Sequence, residues 1–585
     1  MIVFLTHSRF CRRIIDIAAL ACVFVLVAPI EADEPVRATR QMVVTANPWA
    51  TEAGLKILRA GGNAVDAAIA IQLVLSMVEP QSSGIGGGAF MLFSPAPEAL
   101  EDSAQIVAYQ GRETAPALAT PDMFLDQNGQ TIEYQDSAIG GLSVGVPGVL
   151  RMLEQAHQEN GRLPWPALFT SAIELAEKGF EISSRLYFLL SQYQRRAEAE
   201  YFTQHYYDHD GAPRKVGHLL VNHDYAETLR KLAKDGAEVM YSGSLAREIV
   251  AAVKGNSIRP GRLVLSDMES YVAQRLDPIC TPYRQWRICG PQLPSSGGIT
   301  VQQILGILQE FDIASLGSNL VEAIHVVSEA SRLAYADRNL YLADDSFVDV
   351  PVSLLLSPAY LAERASLIKL GRAMSEPQPG SLGELTAWNF SPSVHSDWTS
   401  TSHFSVVDQW GAGVSMTTTI QMVFGSQLMV GGFILNNQLT DFSYQPERDG
   451  KPVANRVESG KRPLSSMSPT MVFDADGRLR VLIGSPGGTR IINYVTQALL
   501  GVLDWERNIQ EAIDAPHFLA QTGSIELEDF TDLAQHQDAL EALGHEVRTR
   551  ALNSGLHGIT IDYTATGRLL RGGADPRREG LAMGD

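Results

Sequence analysis

Cysteine is scarce in this chain, with four residues in 585. Cys11 and Cys22 fall in an apolar N-terminal run, while Cys280 and Cys289 bracket ICTPYRQWRICG. The latter spacing is not C-x-x-C, which argues against a redox centre. The stretch predicts two short strands around a turn, joined by a disulfide or carrying two packed thiols; an oxidising compartment permits the bond. Basic residues are also in short supply. Lys and Arg number 46 against 66 Asp and Glu, a formal net charge of -20. That balance lacks the basic footprint of a nucleic-acid binder and suits a protein handling small solutes. Beyond the N-terminus, no stretch approaches the roughly 18 consecutive apolar residues of a membrane-spanning helix.

What the N-terminus does have is a leader pattern. Arg9, Arg12 and Arg13 precede the apolar run IIDIAALACVFVLVAP, and small residues follow. This describes a secretory signal over residues 1–32, cut after Ala32, and implies export to the periplasm. An uncleaved membrane anchor is the alternative. The whole chain is 45% hydrophobic, ample for a large core.

Residues 40–50 predict a strand, and TEAGLKILRAGGN predicts a helix stopped by Gly61-Gly62. Asn63 can cap the next helix, AVDAAIAIQLVLSMVEP, which is apolar on most faces and so buried. AFMLF follows as a strand. Helices dominate residues 145–255, and Asn319–Asp344 is helical by period. Between Gly371 and Ser400 the composition shifts to Pro, Ser, Gly and Trp, as in an exposed linker. Beyond it HFSVVD, VSMTTTI, FILNNQ, PTMVFD and RVLIGS predict strands. The simplest architecture is a layered α/β protein with strands on both sides of a breakable linker.

Several short motifs compete. GIGGGA (residues 84–89) resembles the dinucleotide fingerprint, but that motif needs a strand before and a helix after; the order here is reversed, so a tight turn is preferred. GLSVG carries Ser143 in the nucleophile-elbow spacing, yet Val146-Pro147-Gly148 separates it from the next helix. HYYDHDG offers His205, Asp208, His209 and Asp210 as metal ligands, but reads as a polar turn without the H-E-x-x-H pattern. TSTSHFSVVD is weak alone. It becomes a constellation beside NNQLTDFS, KRPLSSMSPT and GSPGGTR, each at a predicted strand end or turn.

These pieces, with ANPWATEAGLKILRAGGNAVDAAIA, EPQSSGIGGGAFML, GRETAPA, VGVPG, PSSGGI and GADPRREG, run in order over nearly the whole mature chain. The chain resembles the bacterial gamma-glutamyltranspeptidases, or glutathione hydrolases. The resemblance implies an N-terminal-nucleophile hydrolase: an α/β (α+β) fold, a four-layer αββα sandwich made as one precursor. Cleavage between Ser400 and Thr401 would give a large subunit, 33–400, and a small subunit, 401–585, which stay together as a heterodimer forming one composite domain. Thr401 is the implied nucleophile and Thr419 its hydrogen-bonding neighbour. Gly487 and Gly488 correspond to the oxyanion hole. Arg112, Ser465 and Ser466 would bind the glutamyl carboxylate; Asp441, helped by Gln438, would bind its ammonium. His403 is read as a packing or hydrogen-bonding group. The chain departs from the family at Gln421, where many members carry Asn. The stretch between Asp441 and Ser465 stands where the family has a lid, and it looks short and polar.

The chemistry gives this cleavage a reason. An internal threonine has no base of its own. A freed α-amine, with a pKa of about 7.7–8.0, puts nucleophile and base in one residue. The expected reaction is γ-glutamyl transfer from glutathione or a related amide to water, an amino acid or a short peptide, without metal or organic cofactor. Two alternatives stay open: an acylase of the same fold acting on glutaryl-type β-lactam side chains, and an inactive periplasmic solute-binding relative.

Overall fold

A computed structural model describes residues 34–97, 106–194, 199–257, 259–383, 388–393, 400–565 and 567–585. The expected secretory leader, residues 1–32, lies outside the described residues. Among the described residues no helix is long and apolar enough to cross a membrane.

Two seven-stranded sheets form the centre. One runs Leu581–Gly584, Met42–Thr45, Ser402–Val407, Gly413–Thr419, Gly88–Ser94, Val107–Gly111 and Gln274–Leu276. The other runs Val36–Ala38, Gly567–Ala574, His557–Thr564, Leu479–Gly484, Thr470–Phe473, Trp286–Gly290 and Ile279–Tyr283. Every pairing within them is antiparallel. The sheets pack face to face: Met42, Val44 and Leu92 of the first share an apolar cluster with Met471, Leu482 and Ile559 of the second. Strands covered on both faces become almost wholly apolar or hydroxylic, and all seven residues of Gly413–Thr419 are buried.

Helices cover the outer faces. On the first sheet lie Pro48–Arg59 and Ala64–Val78. The Asn63 side chain accepts from Val65 N and Asp66 N, and the Asp66 carboxylate takes the Asn63 N–H in return. This capping box starts a helix in which every residue is buried. On the second sheet lie Ser296–Leu308, Leu320–Tyr341 and Ile491–Leu503. The order helix, sheet, sheet, helix is the expected four-layer sandwich. Ile279–Tyr283 and Trp286–Gly290 form the expected hairpin, with Cys280 opposite Cys289 and a disulfide between them.

Candidate active site

Ser402 starts a strand that lies against Gly413–Thr419, with Ser402 facing Thr418. Thr401 is therefore one residue before the strand, level with the end of its neighbour. The Thr401 Oγ1 hydroxyl donates to Thr419 Oγ1 at 3.2 Å, and the same Thr419 oxygen accepts Gln421 N–H at 2.8 Å. Thr401 has φ +104°. A β-branched residue there is strained, at a cost on the order of 1–3 kcal/mol. Bonds on each side hold it: Arg578 Nη1 donates to Thr401 O at 3.1 Å, and Ser400 Oγ donates to Gln81 O at 2.7 Å. The Ser400 carbonyl, which belongs to the peptide link expected to break, accepts Gly487 N–H at 3.3 Å.

Gly487 must be glycine for two reasons. Its φ is +138°, and a Cβ there would lie 2.8 Å from Tyr494 Cε2. Gly488 follows at φ +60° and lines the cavity described below. The chain then turns through Gly488–Arg490 into the helix Ile491–Leu503, whose positive end favours a developing negative charge nearby.

Thr401, Thr419 and Gly488 open into a cavity of about 400 Å³. Arg112, Gln421, Gln438, Asp441, Ser465 and Ser466 line it too. The cavity thus gathers the expected site residues except Gly487, which precedes the lining residue Gly488. One arrangement differs from expectation. The sequence suggested opposite charges fixed apart, but Arg112 Nη2 touches Asp441 Oδ2 at 2.6 Å. Arg112 is fully buried and also donates to the carbonyls of Pro463 and Leu464. Asp441 Oδ2 accepts Gln438 Nε2 at 2.6 Å as well, while Oδ1 accepts Gln421 Nε2 at 2.5 Å. Burial outweighs Arg112 and raises the Asp441 carboxyl above its ordinary range.

The sequence did not single out Arg338, in the middle of Leu320–Tyr341. It lines the cavity and donates from Nη2 to Ser466 Oγ and from Nε to Ser296 Oγ, each at 2.9 Å. The Ser465 hydroxyl accepts Met467 N–H at 3.2 Å. Tyr134, also unanticipated, accepts Gln421 Nε2 on its hydroxyl at 3.0 Å. The polar stretch after Asp441 makes one wall through Phe442, Tyr444, Arg448 and Val453. Tyr444 stacks on Phe124 at 4.3 Å and hydrogen-bonds Ser137. Short as it is, this segment is anchored over the cavity.

The competing motifs lead elsewhere. Gly84–Gly87 is a turn from helix to strand. Ser143 is buried, and its hydroxyl meets the Ala138 carbonyl at 3.3 Å. Asp208, His209 and Asp210 cluster on a surface turn where the Asp208 carboxylate takes backbone N–H groups of Asp210 and Ala212. His205 instead lies on the helix Glu200–Tyr206. His403 is fully buried between Thr417 and Ser405, and burial pulls its pKa well below the usual value. It is neutral at ordinary pH.

Two facing antiparallel sheets between helical layers, with a threonine heading a central strand, define the N-terminal-nucleophile hydrolase class. The family model for gamma-glutamyltranspeptidase matches residues 50–585. The chain belongs to that family. The glutathione hydrolase proenzyme of Bacillus subtilis (strain 168) is 37% identical over 560 residues, covering 93% of this chain and 91% of its own. That of Escherichia coli (strain K12) is 35% identical over 557 residues, covering 93% and 91%. The crystal structure of cephalosporin acylase from Bacillus halodurans superposes with TM-score 0.81 at 27% identity, covering 94% of this chain and 97% of the other.

Proposed function

We propose that this chain is a self-processing γ-glutamyl hydrolase and transferase that takes glutathione or a related γ-glutamyl amide as donor. The observation that carries this reading is the strained Ser400–Thr401 link, with its carbonyl on Gly487 N–H and the Thr401 hydroxyl on Thr419. Maturation begins when Thr401 Oγ1 attacks the Ser400 carbonyl carbon. Gly487 N–H bonds the oxyanion, the C–N bond breaks, and the nitrogen takes the proton that Oγ1 gives up to become the free α-amine. Water then hydrolyses the resulting ester. The products are a large subunit ending at Ser400 and a small subunit beginning with the Thr401 α-amine.

In turnover that amine takes the hydroxyl proton as Thr401 Oγ1 attacks the γ-amide carbonyl of the donor. Gly487 and Gly488 stabilise the oxyanion, in the manner of paired backbone donors. The leaving amine departs with the proton, and a γ-glutamyl ester stays on Thr401. Water, an amino acid or a short peptide releases it. Ser465 and Ser466, the latter braced by Arg338, receive the donor's α-carboxylate together with Arg112. Asp441 and Gln438 receive its ammonium. The leader pattern supports action outside the cytoplasm, in the periplasm.

A denaturing gel with N-terminal sequencing tests the cleavage. The purified protein should give two chains, the smaller beginning Thr-Ser-His-Phe, and should release amine from a γ-glutamyl anilide. Thr401→Ala should stay whole and inactive. A single intact chain with full activity would overturn the reading.

A further inference from the structure

An oxyanion site made of two glycines has an inherent weakness. Glycine backbone turns freely, whereas donors to a transition state work only when their direction is already set. In the intact chain Gly487 N–H is tied to the Ser400 carbonyl at 3.3 Å. On the proposed cleavage that carbonyl becomes part of a chain end. Turnover then has to rely on ties that do not involve Ser400.

Two such ties meet at Thr489, which follows Gly488 and lines the cavity. Its carbonyl accepts the Tyr335 hydroxyl at 2.5 Å, and its Oγ1 accepts Gln521 Nε2 at 2.9 Å. The Tyr335 oxygen in turn accepts Asn493 Nδ2 at 3.0 Å, from the helix Ile491–Leu503 that leaves the turn. With a lone pair taken by Asn493, the phenolic proton is aimed at Thr489. Tyr335, Thr489 and Asn493 are all buried, where low dielectric strengthens these bonds.

Tyr335 lies in Leu320–Tyr341 three residues before Arg338, on the same face of the helix. The Arg338 guanidinium stands 5.9 Å from the Tyr335 ring centre and donates to Ser466. One helix thus reaches both ends of the site: Arg338 meets a serine proposed for the donor's carboxylate, and Tyr335 meets the turn proposed for the oxyanion.

Resting on the activity proposed above, we infer that Tyr335 is a positioning residue for the oxyanion turn. Through Thr489 it keeps the Gly487 and Gly488 amides in the direction that the tetrahedral intermediate needs. It serves turnover more than chain cutting, because the Ser400 carbonyl is already bonded to Gly487 N–H before the cut. Tyr335 acts through the backbone and not on the substrate.

Tyr335→Phe removes the hydroxyl and keeps the ring. Asn493→Ala leaves the hydroxyl and removes the donor that orients it. Each variant is followed on a denaturing gel for cutting, and the cut protein is assayed with γ-glutamyl p-nitroanilide over a range of concentrations. Tyr335→Phe should be cut to completion. Its kcat and kcat/KM should fall together by about tenfold, short of the loss of about 10²–10³ for a donor removed outright. KM should stay within about twofold, since equal losses mark an interaction made only in the transition state. Asn493→Ala should show the same pattern at about threefold, as the hydroxyl loses only its orientation. A Tyr335→Phe protein that turns over at the parent rate, or whose KM rises while kcat is kept, overturns the inference. So does one that stays uncut, because Tyr335 is then needed for the fold or the cut. An unmodified protein that releases no amine from the anilide would instead overturn the proposed activity, and this inference with it.

Discussion

Arg112 anchors the cavity, and the residue beside it sets a pH dependence. Glu113 is fully buried, 3.8 Å from the Arg112 guanidinium. Burial pushes its carboxyl up to about 8, even against that positive neighbour. The folded protein therefore keeps a proton that the unfolded chain gives up near pH 4.3. Between those two values the native state binds more protons, so this group's contribution to stability declines as pH rises and levels off above about 8. Glu113→Gln removes the titration. In urea unfolding, the stability of the variant relative to the parent should increase between pH 5 and pH 8.5. A difference that is flat or decreasing across that range would show that Glu113 does not hold its proton.

At the scale of elements, the proposed cleavage and turnover would share the turn Ser485–Gly488, because Gly487 N–H bonds the Ser400 carbonyl and Gly488 lines the cavity. Gly487→Ala would press a methyl against Tyr494 and strain a backbone at φ +138°. Loss of one such donor costs about 10²–10³ in rate. Uncut precursor should accumulate, and γ-glutamyl anilide hydrolysis by the fraction that is cut should slow by a similar factor. Normal processing and turnover would remove Gly487 from the oxyanion site.

Much at this scale was legible in the sequence. Asn63 followed by an apolar run predicts the buried helix Ala64–Val78, and the helical period over Asn319–Asp344 predicts Leu320–Tyr341. Strands after Ser400 follow from alternation. Family motifs led to the cavity residues. Arg338 was hidden because a charged residue in a helical period looks like a solvated face, and only tertiary packing carries it to Ser466. The Arg112–Asp441 contact spans 329 positions in sequence, and local pattern cannot reveal such a meeting. Which sheet each strand enters was equally out of reach, since alternation fixes faces and not neighbours.

On the scale of the whole molecule, the two proposed subunits are interleaved. Ser402–Val407 pairs with Met42–Thr45, and Gly413–Thr419 pairs with Gly88–Ser94 in one sheet. Trp286–Gly290 pairs with Thr470–Phe473, and Val36–Ala38 with Gly567–Ala574, in the other. The Cys280–Cys289 disulfide lies wholly before the proposed cut. Mature protein should therefore elute as one species on gel filtration with or without reductant, and its chains should part only in denaturant. Separation by reductant alone would contradict this pairing.

The partners of the Ser400–Thr401 link are Gln81, Thr419, Gly487 and Arg578. They come from far-flung parts of the polypeptide and assemble only once both layers of strands are complete. On the proposed cleavage, chemistry at that link would be a built-in inspection. A copy that misfolds would stay in one piece and harmless, and the power to transfer acyl groups would be conferred only on copies that have already reached their final shape.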